Sequence, residues 1–301
     1  MNLIIDGSNL LHRCFWVAEK VNQESNLNEQ DVLFIFLKSI KGLVQKFKPD
    51  AIWVAWDKRL THDSTNFRKQ LIPNTYKATR DNERTARVII NHKCIEEALI
   101  TLGIKQMYPN VLEADDVIGW LAQNLNGESI IVSVDKDLLQ LITDRVHVYN
   151  PIKKCRITKN NFNETVGVDI ENYVKFKALL GDASDNIQGV EGFGTQRSRK
   201  LCVESFDSIK NTLTLDKFNV FEKNIQLIDL KLSFKRENGE EECYLQQFSI
   251  QNKISSNFKQ FEALCEQYNF LSVLKDIKTW KRHFHTEQNL HNLINKLNCL
   301  A

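Results

Sequence analysis

The chain predicts an α/β fold: a mainly parallel, twisted sheet with helices on both faces, followed by a C-terminal helical unit. Two observations lead there. Short β-branched and aliphatic runs alternate with helical patterns through the first two thirds of the sequence, and after about residue 170 the pattern turns mainly helical. A third sharpens the reading: acidic residues recur at the ends of the expected strands, where open parallel sheets bind their ligands.

In chain order, Leu3 to Ile5 reads as a strand ending at Asp6, and 31–47 as a helix. Ala51 to Trp56 reads as the next strand, with Asp57 at its end. A helix is expected over 84–102, where Ile90, Cys94, Ala98 and Leu102 recur at spacing four, and another over 115–125. Ile130 to Val134 leads as a strand into Asp135 and Asp137, and Val146 to Tyr149 forms a fourth. Glycines at 189, 192 and 194 then interrupt a helical pattern, 235–241 reads as a charged loop, and 257–272 and 287–298 read as helices. The last of these is amphipathic and could dock a replication partner, although folding back on its own domain is the first expectation. We place a boundary near 180, giving units 1–180 and 181–301.

With 301 residues and 42% hydrophobic content the chain can bury one substantial core and a smaller appended one. Lys and Arg (40) nearly balance Asp and Glu (38), so net charge selects no partner. Its distribution is more telling: between Lys58 and Lys105 ten basic residues face five acidic ones. A polyanion approaching an acidic pocket suits that polarity, as does a solvated charged helix. Seven cysteines without a Cys-x-x-Cys pair argue against a disulfide framework or a zinc knuckle. No apolar run reaches 18 residues and Met1 to Asp6 lacks the features of a signal peptide, so a soluble, cytoplasmic protein with no membrane partner is expected.

The acids fall in short clusters: Asp6, Asp57, Glu113 with Asp115 and Asp116, Asp135 with Asp137, and Asp182 with Asp185. So many carboxylates in one pocket would repel prohibitively without hard cations, so the chain reads first as a metal enzyme. Each cluster also has a plainer reading. Asp6-Gly-Ser-Asn is a good turn and helix cap, and acids opening the helix after Glu113 suit its macrodipole. Asp135 and Asp137, one residue apart, share a face of an extended segment, as metal ligands or as part of a solvated loop. Glycines 189, 192 and 194, followed by a helix start and by Arg197, Arg199 and Lys200, make a grip for a phosphate backbone.

Six motifs in register resemble the 5′-nuclease family, which includes flap endonucleases, phage 5′–3′ exonucleases and the 5′ nuclease domain of bacterial DNA polymerase I. They are Ile5-Asp6-Gly-Ser-Asn-Leu10, Trp56-Asp57, Phe67-Arg68 leading to Tyr76-Lys77-x-x-Arg80, Glu113-Ala-Asp-Asp-Val-Ile-Gly119, Val134-Asp-Lys-Asp-Leu138, and Gly181-Asp-x-x-Asp-Asn-Ile187 with the glycines that follow. The likeness spans about 2–205 and weakens beyond, although 260–270 resembles the family's closing helix. Gln188 and Gln196 depart from the family pattern, where Pro and Lys are common.

The resemblance implies a PIN-like 5′-nuclease core and a helix-hairpin-helix (H3TH) motif. It implies two Mg2+ ions, or Mn2+ in their place. Asp6, Asp57, Glu113 and Asp115 surround one, Asp135, Asp137 and Asp185 the other, with Asp116 and Asp182 assisting. It implies hydrolysis of DNA phosphodiesters to leave 5′-phosphates, by 5′–3′ exonuclease and flap endonuclease activity in replication or repair. Lys77 and Arg80 would contact the scissile phosphate. Residues from about 80 to 102 would form a helical arch lined by Arg84, Arg87 and Lys93, with Tyr76 stacking on a base. The hairpin (Gly189, Gly192, Gly194, Arg197, Arg199, Lys200) would hold duplex DNA, and K+ could sit near Val190 and Phe193. The partner implied is DNA with a 5′ flap or single-stranded 5′ end, with RNA/DNA hybrid as a further substrate, acted on by a stand-alone monomer in the cytoplasm, or the host's for a phage protein. A catalytically inactive junction-binding protein of the same fold is the alternative, although binding needs none of the acids. A phosphatase using Asp6 as phosphoryl acceptor would leave the glycine hairpin without a role.

Overall fold

A computed structural model of the chain describes residues 1–21, 28–57, 67–72, 77, 82–109, 112–231, 245–246 and 254–284. In chain order the elements are β1 (Asn2–Asp6), α1 (Gly7–Val21), α2 (Glu29–Phe47), β2 (Ala51–Ala55), α3 (Phe67–Leu71), α4 (Asn82–Ile89), α5 (His92–Thr101), β3 (Lys105–Met107), α6 (Ala114–Asn124) and β4 (Ser129–Val132). A 3-10 helix (Asp137–Leu141), β5 (Val146–Asn150), β6 (Cys155–Ile157), α7 (Phe162–Val166) and α8 (Tyr173–Leu180) follow. The remainder comprises a small hairpin, β7 (Gly181–Asp182) with β8 (Ile187–Gln188), then α9 (Thr195–Leu201), α10 (Phe206–Thr212), α11 (Leu215–Ile228), α12 (Phe258–Gln267), α13 (Leu271–Lys275) and α14 (Ile277–Phe284).

Six strands form one sheet in the order β3-β2-β1-β4-β5-β6, parallel throughout except for β6, which runs antiparallel to β5. Alternation of side chains divides the core in two. Ile4, Trp53, Ala55 and Ile131 point to one face, covered by α6, α8 and α11; Leu3, Ile5, Val54, Trp56, Ile130 and Val132 point to the other, covered by α1, α2 and α5. The expected doubly covered parallel sheet is therefore present. Two short strands of this sheet escaped the sequence reading. β3 hides its signal because its polar residues are buried: Lys105 lies over the Trp53 ring at 4.7 Å, and Gln106 accepts from Trp56 Nε1 at 3.0 Å. β6 has three residues and follows a turn.

Helix boundaries follow local chemistry. α2 opens with a capping box, Asn28 Oδ1 accepting from the Asp31 N–H at 3.0 Å and Asp31 Oδ2 from the Asn28 N–H at 3.4 Å. The helix expected over 84–102 is two, because the buried Asn91 side chain donates to the carbonyls of Arg87 (3.0 Å) and Val88 (3.4 Å) and so closes α4. α5 then buries Cys94, Ile95, Ala98 and Leu99. The second half of the expected arch is thus a separate helix with one face in the core. The helix expected over 257–272 stops at Gln267, with Asn269 left-handed at φ 54, and 287–298 lies outside the described residues.

Beyond the sheet, α8 packs on α11, and Asn224 ties them, donating to Ala178 O at 2.9 Å and Gln188 O at 2.8 Å. Gly181 and Gly189 stand where backbones meet: a Cβ on Gly189 would lie 2.2 Å from Leu180 O. The chain then returns to the opposite face. α12 to α14 bury Phe261 and Trp280 against the α2–α5 layer, and Lys41 pairs with Asp276. Among the described residues no helix is long and apolar enough to cross a membrane.

Replacing Asn224 with Leu keeps the branched shape but strips two carbonyls of their donor. The expected cost is about 1–3 kcal/mol, read as a lower urea midpoint at unchanged m-value.

Candidate active site

Strand register places the acids before any side chain is considered. Ile5 pairs with Val132 and Asp6 with Ala55, so the carboxyl ends of β1, β2 and β4 lie level. Asp6 follows Ile4 by two residues, Asp57 follows Ala55 and Ser133 follows Ile131, and all three apolar predecessors face α6. Asp6, Asp57 and Ser133 thus emerge on the α6 side of the sheet edge, with Asp135 two residues further on. Strand order reverses between β1 and β4, the point where such sheets bind ligands.

Backbone amides and hydroxyls hold these carboxylates in place. Asp6 accepts from the Asn9 N–H at 2.9 Å and from Ser133 Oγ at 2.7 Å. Ser133 Oγ accepts from the Asp135 N–H at 3.0 Å, and Asp135 Oδ1 from the Asp137 N–H at 2.8 Å. Asp57 accepts from the Ala114 N–H, the first of α6, at 3.0 Å, while its own N–H donates to Ser8 Oγ. Burial, with Asp57 and Asp135 nearby, pushes Asp6 up to about 7. Burial and the charges of Asp135, Asp6 and Glu113 raise Asp115 well above the carboxylate range against the pull of Lys77. Asp137 is raised as well, by burial and Asp135 against Lys177.

Two lysines stand among the acids. Lys77, held at φ 54 with its N–H on Asp185 O, brings its ammonium 2.7 Å from Glu113 Oε1 and 3.8 Å from Asp185 Oδ2. Lys177, buried on α8, contacts Asp137 and Asp182 together. Burial alone would lower its pKa, but Asp137, Tyr173 and Asp182 push it above the ordinary lysine value. Asp182 sits below the usual range, because Lys177 and Ser184 outweigh its burial.

Asp116 belongs elsewhere. Fully buried, it takes two hydrogen bonds of 2.7 Å from the Arg68 guanidinium and one of 2.9 Å from the Glu113 N–H. Arg68 also reaches Leu227 O at 2.9 Å and Glu113 Oε2 at 3.1 Å. Asp116 thus joins α3, α6 and α11 and, through Arg68 and the Glu113 N–H, also holds Glu113.

Several basic and glycine residues expected at DNA are likewise committed to the fold. Arg87 pairs with Glu19 at 3.1 Å over the Phe15 ring. Arg199 packs on Gly167 and reaches Val166 O at 3.4 Å, closing α7. Gly189 serves the close approach to Leu180. Arg197 and Lys200 are exposed beside the turn, Arg197 donating to Gly192 O at 2.9 Å, and a Cβ on Gly194 would meet nothing within 4 Å. Lys93 is exposed on α5. Tyr76, Arg80 and the Arg84 side chain lie outside the described residues.

Among the described residues no three His, Cys, Asp or Glu side chains already converge as a cage, and Lys77 and Lys177 fill the space between acids. The donor set nevertheless suits a hard divalent cation: it is all carboxylate, and mutual repulsion raises several members in the way such an ion relieves. Sequence reasoning missed Ser133, Arg68 as a structural tie, and Lys177. The spacing of Tyr173 and Lys177 places both on one helix face, but a lysine in a short helix reads as solvent-facing.

The family model for the 5'-3' exonuclease N-terminal resolvase-like domain matches residues 1–167. The chain belongs to the 5'-3' exonuclease family. Within it, the 5'-3' exonuclease of Bacillus subtilis (strain 168) is 34% identical over 225 residues, covering 71% of this chain and 74% of that protein. The structure of T5 5'-exonuclease with divalent metal ions (zinc) bound superposes with a TM-score of 0.68 at 22% identity, over 84% of this chain and 99% of that one. A bacteriophage T5 flap endonuclease in a pseudo-enzyme-product complex with DNA and metal ions gives 0.61 at 20% identity, over 89% and 100%. Both likenesses establish the same fold for this family member.

Two outcomes follow. Arg68→Met leaves the Asp116 charge in the core without its guanidinium, and should cost about 3–5 kcal/mol in urea unfolding; adding Asp116→Leu should recover most of it. Asp6 binds its proton more tightly when folded (about 7) than at its ordinary value of 3.8, so its favourable contribution is complete below pH 3.8 and is lost as pH rises through 7. In EDTA, wild type should lose stability relative to Asp6→Asn between pH 4 and 8, on the order of a few kcal/mol.

Proposed function

We propose that this family member is a divalent-metal-dependent 5′–3′ exonuclease and flap endonuclease that cleaves DNA phosphodiesters to leave 5′-phosphates. The observation that carries it is the convergence of Asp6, Asp57, Asp135 and the start of α6 on the switch point of the sheet, with Lys77 among them. Asp6, Asp57, Glu113 and Asp115 would hold one Mg2+, and Asp135, Asp137 and Asp185 the other, Mn2+ serving in its place. When bound, two such ions supply Lewis-acid polarisation of the phosphate and acidify an attacking water.

The chain's own groups do the remaining work. Ser133 and the Asn9 amide fix the Asp6 carboxylate, and the Ala114 amide fixes that of Asp57. Lys77, with Arg80, would bind the scissile phosphate and set its orientation. We assign a helix-hairpin-helix to α8, the 181–194 connection and α9. It would grip duplex DNA through Gly192, Gly194, Arg197 and Lys200 without reading bases. K+ near Val190 and Phe193 belongs to the same assignment; the Val190 carbonyl accepts from the Phe193 N–H at 3.0 Å and keeps a second lone pair. Residues 1–180 are then the catalytic unit and 181–301 the duplex-binding and C-terminal region, working as a monomer in the cytoplasm on 5′-flap or 5′-ended DNA, with RNA/DNA hybrid as a further substrate. The DNA and metal ions bound by the T5 enzyme of the same fold support this reading.

A labelled 5′-flap duplex tests it. Incision near the single-strand/duplex junction is expected in Mg2+ and not in EDTA. Asp135→Asn/Asp137→Asn should slow it at least about 10²-fold while folding and DNA binding persist. Tight binding by wild type without cleavage in either Mg2+ or Mn2+ overturns the proposal.

A further inference from the structure

Lys177 contacts Asp137, one of the acids assigned to the second ion. Its ammonium touches Asp137, at the start of the 3-10 helix after β4, and Asp182, on β7. The residue is 6% exposed. Its contacts look at first like a brace between α8 and the loop after β4, yet other groups already perform that task. One turn earlier on the same helix, Tyr173 donates its hydroxyl to Lys136 O at 2.9 Å, docking α8 on this loop. On its other side α8 is clamped by Asn224 through Ala178 O and Gln188 O, and it packs along α11. What Lys177 alone adds is positive charge between two carboxylates. An ammonium carries one charge and three donors on a flexible four-carbon stem, so it can be displaced without moving the backbone.

We infer that Lys177 is a positioning residue acting as an internal counter-cation, holding Asp137 and Asp182 in the metal-free protein and exchanged for the divalent ion that enters this half of the site. The inference rests on the two-ion reading above. Entry of the second ion is then a substitution: the ammonium leaves Asp137, which the divalent ion would share with Asp135 and Asp185, and until then the metal-free site is kept from the full repulsion of Asp135, Asp137 and Asp182. Lys77 differs in standing at the Glu113 and Asp185 side, where it is assigned to substrate phosphate.

Calorimetric titration of the full-length chain with Mn2+, without DNA, separates this role from bracing. Lys177→Gln removes the competitor, so Mn2+ should bind the weaker of two sites about tenfold more tightly, the size of a lost charge-assisted hydrogen bond. Its metal-free Tm should fall, and saturating Mn2+ should return it toward wild type. Lys177→Arg, whose planar fork grips carboxylates more firmly, should bind Mn2+ several-fold more weakly, and this arm stands even where the Gln variant does not fold. A brace would give a loss of affinity in Lys177→Gln; that result, or unchanged affinity in a folded variant, overturns the exchange and leaves the metal reading standing. Absence of Mn2+ binding by wild type overturns both.

Discussion

Asp6, Asp57, Asp115, Asp135 and Asp137 repel one another across the carboxyl edge of the sheet, and burial makes that repulsion harder to screen than in water. Nearly every feature nearby answers it. The first amide of α6 points at Asp57, the Ser133 hydroxyl and the Asn9 amide point at Asp6, and two lysines enter from segments remote in sequence. These groups lower the cost without removing it, since Asp6 is still raised to about 7. A site left in that condition has a strong affinity for positive charge, which suits phosphodiester chemistry with hard cations.

The four residues from Glu113 to Asp116 show how one motif serves two tasks. Helical geometry turns Asp116 inward, where Arg68 meets both of its oxygens, while Glu113 and Asp115 stay at the mouth beside Lys77. The Arg68–Asp116 pair fixes the pitch of α6 and so the direction of the other two acids. Burying such a pair contributes little net stability over an apolar pair; what it adds is a unique orientation.

A comparable division runs through the basic residues. Arg199 is half-buried and closes α7, whereas Arg87, exposed while pairing with Glu19 of α1, and Arg197 and Lys200 at the turn after the hairpin stay at the surface. The same holds for the glycines: Gly181 and Gly189 let two backbones touch, and Gly194 leaves its surroundings open.

Short β-branched and aliphatic runs, three of them followed by an acid, pointed to the parallel sheet and to the edge that carries the site, and six motifs in register pointed to the family, because all of these are local patterns. The sequence by itself therefore named the acids that the fold gathers at this edge. It did not reveal β3, whose polar residues are buried by contacts with Trp53 and Trp56, nor the break at Asn91, which depends on one side chain turning back. Only the tertiary structure decided that Asp116 faces Arg68, that α12 to α14 return to the α2–α5 face, and that Lys177 reaches Asp137 and Asp182. The physical reason is common to all three. Whether a charged side chain turns to solvent, to a partner or to a site depends on what the chain brings against it from far along the sequence, and a local pattern carries no record of that neighbour.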